Sequence, residues 1–263
     1  GWCGYPLDKR IFPWNHANCG DLNLSGERRP QSYLRETLWS DAPVSHIVVT
    51  PPVPSFPLNP DKADWSVWDF PDVVDHWNFP GYEGKKMTVS VYSNCEQVEL
   101  FLNGESLGKQ ENTADKKNTL VWEVPYAHGI LKAVSYNKGG EVGTATLESA
   151  GKVEKIRLSA DRMEIVADGN DLSYITLELV DSKGIRNQLA EELVEFSIEG
   201  DATIEGVGNA NPMSIESFVA NSRKTWRGSN LLVVRSGKSS GRIIVTAKVK
   251  ALPVASITIT QKK

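Results

Sequence analysis

Three cysteines and four histidines in 263 residues leave little material for a disulfide scaffold or a metal centre. Cys3, Cys19 and Cys95 cannot all pair and lack the spacing of a zinc site, so free thiols are expected. His16, His46, His76 and His128 are scattered, with no His-x-x-x-His pair. Each is expected as a surface or hydrogen-bonded histidine. Positive charge is also short: 29 Lys and Arg face 33 Asp and Glu, a formal net charge of −4. That is no footprint for nucleic acid or an anionic membrane. No stretch approaches the ~18 apolar residues of a membrane span. No leader is legible either, because the chain opens Gly-Trp-Cys-Gly-Tyr without a basic segment or an apolar run. The early aromatics Trp2, Tyr5, Phe12 and Trp14 suit a cut through a larger protein better than a frayed terminus.

What is present is β-rich. Residues 1–40 read as a loop and then one helix, with Pro30 in its first turn, Ser25 as a distant cap, and an apolar stripe of Tyr33, Leu34 and Leu38 running to Trp39. Residues 41–84 carry eight prolines, which exclude a long helix, and leave room for one strand at Ile47–Val49. From Lys86, alternation predicts strands at Met87–Tyr92, Val98–Asn103, Thr119–Val124, Ile130–Tyr136 and Glu141–Glu148. Asn103-Gly104 is a hairpin turn, since both residues tolerate positive φ. After Gly151-Lys152 a second set follows around Ile156, Ile165, Ile175–Leu179, Val194–Ile198, Leu231–Val234, Ile243–Val249 and Ile257–Ile259. The expected fold class is all-β, with two immunoglobulin-like β-sandwiches in tandem.

Loops that look chemical do not hold up as such. Gly206-Val207-Gly208-Asn209 is followed by Pro212 and Met213, not by the helix or Lys-Ser/Thr of a phosphate loop, and reads as a turn between strands. Asp168-Gly169-Asn170-Asp171 has its glycine misplaced for a calcium loop and reads as a chain reversal. The Asn23-Leu24-Ser25 triplet is formally a glycosylation sequon. Carboxylates alternate outward along the strands, and no pair of them stands out. No cofactor and no metal are expected.

Four segments carry a family resemblance. The run from Cys19 through Gly20-Asp21-Leu22-Asn23-Leu24-Ser25-Gly26-Glu27-Arg28-Arg29-Pro30 to Tyr33 resembles the end of the catalytic barrel in glycoside hydrolase family 2. There the chain leaves the last barrel strand and enters the last helix through such a proline. His76-Trp77-Asn78-Phe79-Pro80-Gly81-Tyr82-Glu83-Gly84-Lys85, running on to Val98-Glu99-Leu100-Phe101-Leu102-Asn103-Gly104, resembles an accessory domain of the family's bacterial β-galactosidases. So do Ala167–Thr176 and Gly206–Pro212. The resemblance covers nearly the whole chain, in the family's order.

The resemblance implies a domain order of 1–40, a C-terminal remnant of the (β/α)8 barrel; 41–151, linker and first sandwich; and 152–263, second sandwich. It implies retaining hydrolysis of β-glycosides by two glutamates on the fourth and seventh barrel strands, both upstream of this chain, so that no residue here is catalytic and the chain alone is inactive. Two substrate-binding candidates remain. Asp21, nine positions before the helix-entry proline, stands where the family reads the substituent on the sugar's C5; a carboxylate there repels a uronate and accepts a hydroxyl hydrogen bond, unless Asp21 merely turns the loop. Trp14 either stacks on a sugar face or packs. The implied partners are the chain's own upstream barrel and a β-galactoside or polysaccharide substrate. Self-association is expected through a bared barrel-contact face that includes some of Trp2, Tyr5, Phe12, Trp14, Leu34 and Trp39, with residues 1–40 docking on the first sandwich or on another copy. Periplasmic or secreted placement is implied by the same relatives. Two other readings stay open. One is a carbohydrate-binding or adhesive module using Trp65, Trp68 and Trp77, rings otherwise buried at an interdomain seam; the other is a structural spacer.

Overall fold

A computed structural model describes residues 13–14, 20–56 and 71–263. Trp2, Tyr5, Phe12, His16, Cys3, Cys19, Trp65 and Trp68 lie outside the described residues. The chain divides into two compact units, Gly1–Ser149 and Ala150–Lys263.

In the first unit a 3-10 turn, Pro30–Ser32, runs directly into helix α1, Tyr33–Trp39. Among the described residues seven strands follow: β1 Ser45–Val49, β2 Lys86–Ser93, β3 Gln97–Leu102, β4 Glu105–Glu111, β5 Thr119–Pro125, β6 Ile130–Asn137 and β7 Gly140–Glu148. They form two antiparallel sheets, β1-β2-β5 and β4-β3-β6-β7. Alternation sets the core, as Met87, Val89 and Val91 of β2 and Val98 and Leu100 of β3 turn inward into one buried cluster. The polar edge strand β4 has no apolar alternation and escaped the sequence reading.

Trp77 is fully buried in this same cluster, which removes it as an exposed sugar platform and as a seam residue. Its indole N–H donates to the Ala127 carbonyl at 2.8 Å, and its ring meets Tyr126 edge-on at 5.0 Å. The Tyr126 hydroxyl accepts from the Phe79 N–H at 3.1 Å, and the Ser149 hydroxyl donates to the Trp77 carbonyl. A buried indole needs an acceptor for its one donor, and the β5–β6 connection supplies it.

The expected Asn103-Gly104 turn is present, with φ of 52° and 88°. Asn103 does more than turn the chain. Its Oδ1 accepts from the Ile130 N–H at 2.8 Å and its Nδ2 donates to the His128 carbonyl at 3.2 Å. This fills the space a side chain at residue 129 would need: a Cβ on Gly129, whose φ is +144°, would lie 1.8 Å from Asn103 Oδ1.

The second unit has nine strands: β8 Lys155–Ala160, β9 Glu164–Val166, β10 Leu172–Val180, β11 Leu193–Glu199, β12 Ala202–Gly208, β13 Ser222–Lys224, β14 Ser229–Ser236, β15 Gly241–Val249 and β16 Ala255–Lys262. They make a four-stranded sheet, β12-β14-β10-β8, and a five-stranded one, β13-β11-β15-β16-β9. All pairs are antiparallel except β9 with β16. Gly206-Val207-Gly208 is not the turn read from sequence. It is the end of β12, where a register shift between Ile204 and Gly206 lets the strand continue and buries Val207 opposite Leu232. Asp168 does reverse the chain, its Oδ1 accepting from the N–H groups of Asn170 and Asp171 at 2.7 and 2.9 Å.

Asp181 fixes the entry to this unit. Its buried carboxylate accepts from Gly151 N–H at 2.8 Å and from Lys183 and Ile185 N–H at 2.9 Å each. Burial pushes the carboxyl up, but the three backbone donors outweigh it and hold the group below its ordinary value.

Two outcomes are expected. Gly129→Ala destabilises the first unit by roughly 2 kcal/mol or more, from backbone strain and the displaced Asn103 bonds, whereas Gly143→Ala, with no neighbour within 4 Å of the added Cβ, changes little; denaturant melts of both variants check this. Asp181→Ala lowers the melting temperature of the second unit at neutral pH. A depressed folded pKa gives stability that is present above the unfolded value, about 3.9, and lost as pH falls through the folded one, so the gap between wild type and variant closes below about pH 4.

Candidate functional site

The segment from Asp21 to Ser40 holds the sequence-derived candidate Asp21. It starts as a tight reversal: Asn23 Oδ1 accepts from the N–H groups of Ser25 and Glu27 at 2.9 and 3.1 Å, and Leu22 bridges to Arg28. Ser25 therefore sits inside a turn and is not the helix cap. Arg29 and Ser32 precede the 3-10 and α segments, neither with a side-chain cap bond. Pro30 occupies the first turn, as expected. The apolar stripe divides in two: Tyr33 and Leu34 pack against Val48, Val73 and Tyr92, while Leu38 and Trp39 face solvent, Trp39 at 80% exposure.

The helix is tied to the first sandwich by polar and ring contacts. Tyr33 stacks on His46 of β1 at 4.1 Å with planes 9° apart. Glu36 Oε2 accepts from Arg28 Nη1 at 2.6 Å and contacts His46 Nε2 at 3.2 Å, and the Arg28 guanidinium lies 4.6 Å from the Tyr33 ring centre. Asn118 Nδ2 donates to Thr37 Oγ1 at 3.1 Å, and Asn94 Nδ2 donates to the Ser40 carbonyl at 3.0 Å. Burial pulls His46 below its ordinary pKa, with Glu36 offsetting part of that effect. The Arg28 hydrogen bond holds Glu36 below the carboxylate range.

Between the reversal and the helix lies an open cleft of about 380 Å³, lined by Asp21, Leu22, Arg28, Ser32, Arg35, Glu36, Trp39 and Ser40. Asp21 Oδ1 is ion-paired with Arg35 Nη1, and Glu36 with Arg28. Two anions thus face two cations, and the field Asp21 would exert on an anionic ligand is offset by its neighbour. Nothing in the sequence flagged Arg35, which lies 14 positions from Asp21. Trp14 does not line this cleft. It is 4% exposed and meets Phe56 edge-on at 4.8 Å, so it packs and offers a sugar no open face. No cluster of three His, Cys, Asp or Glu suited to a metal ion occurs among the described residues, and none of their helices is long and apolar enough to cross a membrane. Cys95, a buried free thiol, sits apart from the cleft.

Residues 156–258 match the family described as glycoside hydrolase family 2 C-terminal domain 5. Residues 84–143 match a domain of unknown function, DUF4982. The whole chain is 99% identical, with a TM-score of 0.97, to 34% of the chain in a crystal structure of a glycosyl hydrolase family 2 member from Bacteroides cellulosilyticus. The chain belongs to glycoside hydrolase family 2. It is 30% identical over 253 residues to a β-galactosidase of Bacteroides ovatus, covering 96% of this chain and 26% of that protein. A β-glucuronidase of Formosa agariphila is 30% identical over 205 residues, 75% of this chain and 20% of that protein. This family 2 chain therefore spans a fifth to a third of the length of these relatives.

The charge cluster on the helix has a defined pH signature. A histidine whose folded pKa is depressed gives stability that is complete above its unfolded value of about 6.5 and declines as pH falls toward the folded value. Thermal melts are therefore expected to show a loss as pH falls below about 6.5 that His46→Phe, which keeps the ring stack, abolishes. An unchanged slope in the variant refutes the assignment.

Proposed function

We propose that this chain is the accessory, non-catalytic C-terminal portion of a β-galactosidase-like retaining glycoside hydrolase. Its two sandwiches buttress the catalytic barrel, and the segment up to residue 40 is the barrel's last loop and helix. The observation that carries this reading is the end-to-end similarity to about a quarter of the Bacteroides ovatus β-galactosidase, 96% of this chain against 26% of that one. The chemistry in that reading belongs to two glutamates outside this sequence: one protonates the glycosidic oxygen as it leaves while the other bonds to the anomeric carbon, and water, deprotonated by the first, then hydrolyses that glycosyl ester with net retention.

The outward face of the segment supports the same reading. Leu22, Leu24, Leu38 and Trp39 are all exposed within 18 residues of one another, an apolar density that a surface loop and helix do not need for their own stability. Barrel strands and helices packed over this face would bury it. Asp21 would then stand near the strand end from which the family addresses the sugar. A carboxylate there favours a hydroxyl-bearing substituent over a uronate, and its partner Arg35 fixes its orientation while moderating that preference.

The test is hydrolysis of a chromogenic β-galactoside by the 263-residue chain and by a polypeptide as long as the Bacteroides cellulosilyticus family 2 member. The short chain is expected to show no turnover above the uncatalysed rate, and the long one is expected to be active. Robust turnover by the short chain overturns the non-catalytic role.

A further inference from the structure

The second unit carries a feature unrelated to the cleft. The loop between β12 and β13 holds three large apolar side chains out in water: Ile215 is 83% exposed, Val219 82% and Phe218 50%. Beneath them Arg223 is 1% exposed, the largest buried charge of the unit. Its Nη1 donates to the carbonyls of Val207 and Glu216 at 3.1 and 3.2 Å, and its Nη2 donates to Ser214 Oγ at 3.0 Å. The Phe218 ring lies 4.3 Å from the guanidinium.

Other bonds tighten the same loop. Glu216 Oε1 accepts from the Lys224 N–H at 3.0 Å, Asn209 Nδ2 donates to the Lys224 carbonyl at 2.9 Å, and the Val207 N–H donates to the Phe218 carbonyl at 2.8 Å. Gly206 leaves just enough room, since a Cβ there would lie 3.3 Å from that carbonyl. A buried guanidinium is desolvated at considerable cost, and here it fixes a loop whose outermost tips, Ile215 and Val219, lie almost wholly in water. Holding exposed apolar groups in one conformation lowers the entropy lost when a partner covers them.

We propose that the loop from Met213 to Val219 is a preformed docking finger, and that its occupant is the remainder of the longer family 2 polypeptide. The proposal rests on the accessory reading above. Two considerations select this occupant. Three side chains bury on the order of a few hundred Å², well below the roughly 1,200–2,000 Å² of a stable free association. A second copy held by this loop alone would therefore dissociate. A partner within the same polypeptide is held at an effective concentration near the millimolar range, where a small patch suffices. The Bacteroides cellulosilyticus relative, 99% identical over this chain, carries about twice as much polypeptide again beyond it. The finger also has no unpaired charge at its tip, Glu216 being held by Lys224 N–H and Arg223, so it fits an apolar, uncharged surface.

Ile215→Cys and Val219→Cys test the docking by maleimide labelling, with the modified peptide quantified by mass so that Cys3, Cys19 and Cys95 do not contribute. Both sites lie at exposed tips, so the substitutions leave the core intact. Labelling is expected to be at least tenfold slower in the long polypeptide than in the 263-residue chain. Equal rates overturn the proposal. A rate in the 263-residue chain that falls as its concentration rises also overturns it, in favour of a second copy. β-Galactoside hydrolysis by the long polypeptide, measured in parallel, separates the two claims: its absence overturns the enzyme reading, while the labelling ratio alone decides the docking.

Discussion

The stacking of Tyr33 on His46, closed by Glu36 and Arg28, is the contact on which the N-terminal segment depends. A seven-residue helix has too few internal hydrogen bonds to persist alone. Its order comes from one side, where Tyr33 and Leu34 meet Val48, Val73 and Tyr92. The shared carboxylate of Glu36 sets the helix rotation, which points Leu38 and Trp39 away from the sandwich and opens the cleft beside Asp21. The ion pair with Arg35 and the exposed apolar face are both consequences of that one orientation.

Within the sandwiches, carboxylates and amides do at the turns what ladders do in the strands. Asp181 gathers three N–H groups, Asp201 accepts from Lys238 and Ser239 N–H, and Asn103 joins two segments of backbone. None of these groups lies in an arrangement suited to proton transfer or metal binding. Most of their donors are backbone N–H groups that sheets leave over at strand ends, while Asn103 Nδ2 itself donates to the His128 carbonyl. Functional interest therefore falls on the few places where a side chain is exposed without a structural reason.

Much of the fold was legible because apolar alternation is strong: Met87, Val89 and Val91, or Ile175, Leu177 and Leu179, admit only one inward face. Asn103-Gly104 identified its hairpin for a backbone reason that needs no tertiary context. Strand β4 was not legible, since its residues are nearly all polar and it is held at the edge by its ladder with β3. Strand β12 was hidden by glycines that usually punctuate loops, and β13 by its three-residue length. At the cleft, Asp21 was legible only through resemblance, and its partner Arg35 not at all, because the pairing depends on how the reversal folds back on the helix. Arg223 shows the same limit: a lone arginine between Ser222 and Lys224 reads as surface, and burial arises only when the 209–221 loop closes over it.

The parallel pairing of β9 with β16 has a consequence for how the second unit forms. Glu164–Val166 lies near the start of that unit and Ala255–Lys262 near its other end, yet they are neighbours in one sheet. Such a contact is about as non-local as the unit allows, and its loop-closure entropy must be overcome before any bond rewards it. During synthesis β9 therefore waits, unpaired, while everything from β10 to β15 emerges. The five-stranded sheet can gain its β9 edge only once β16 is in place.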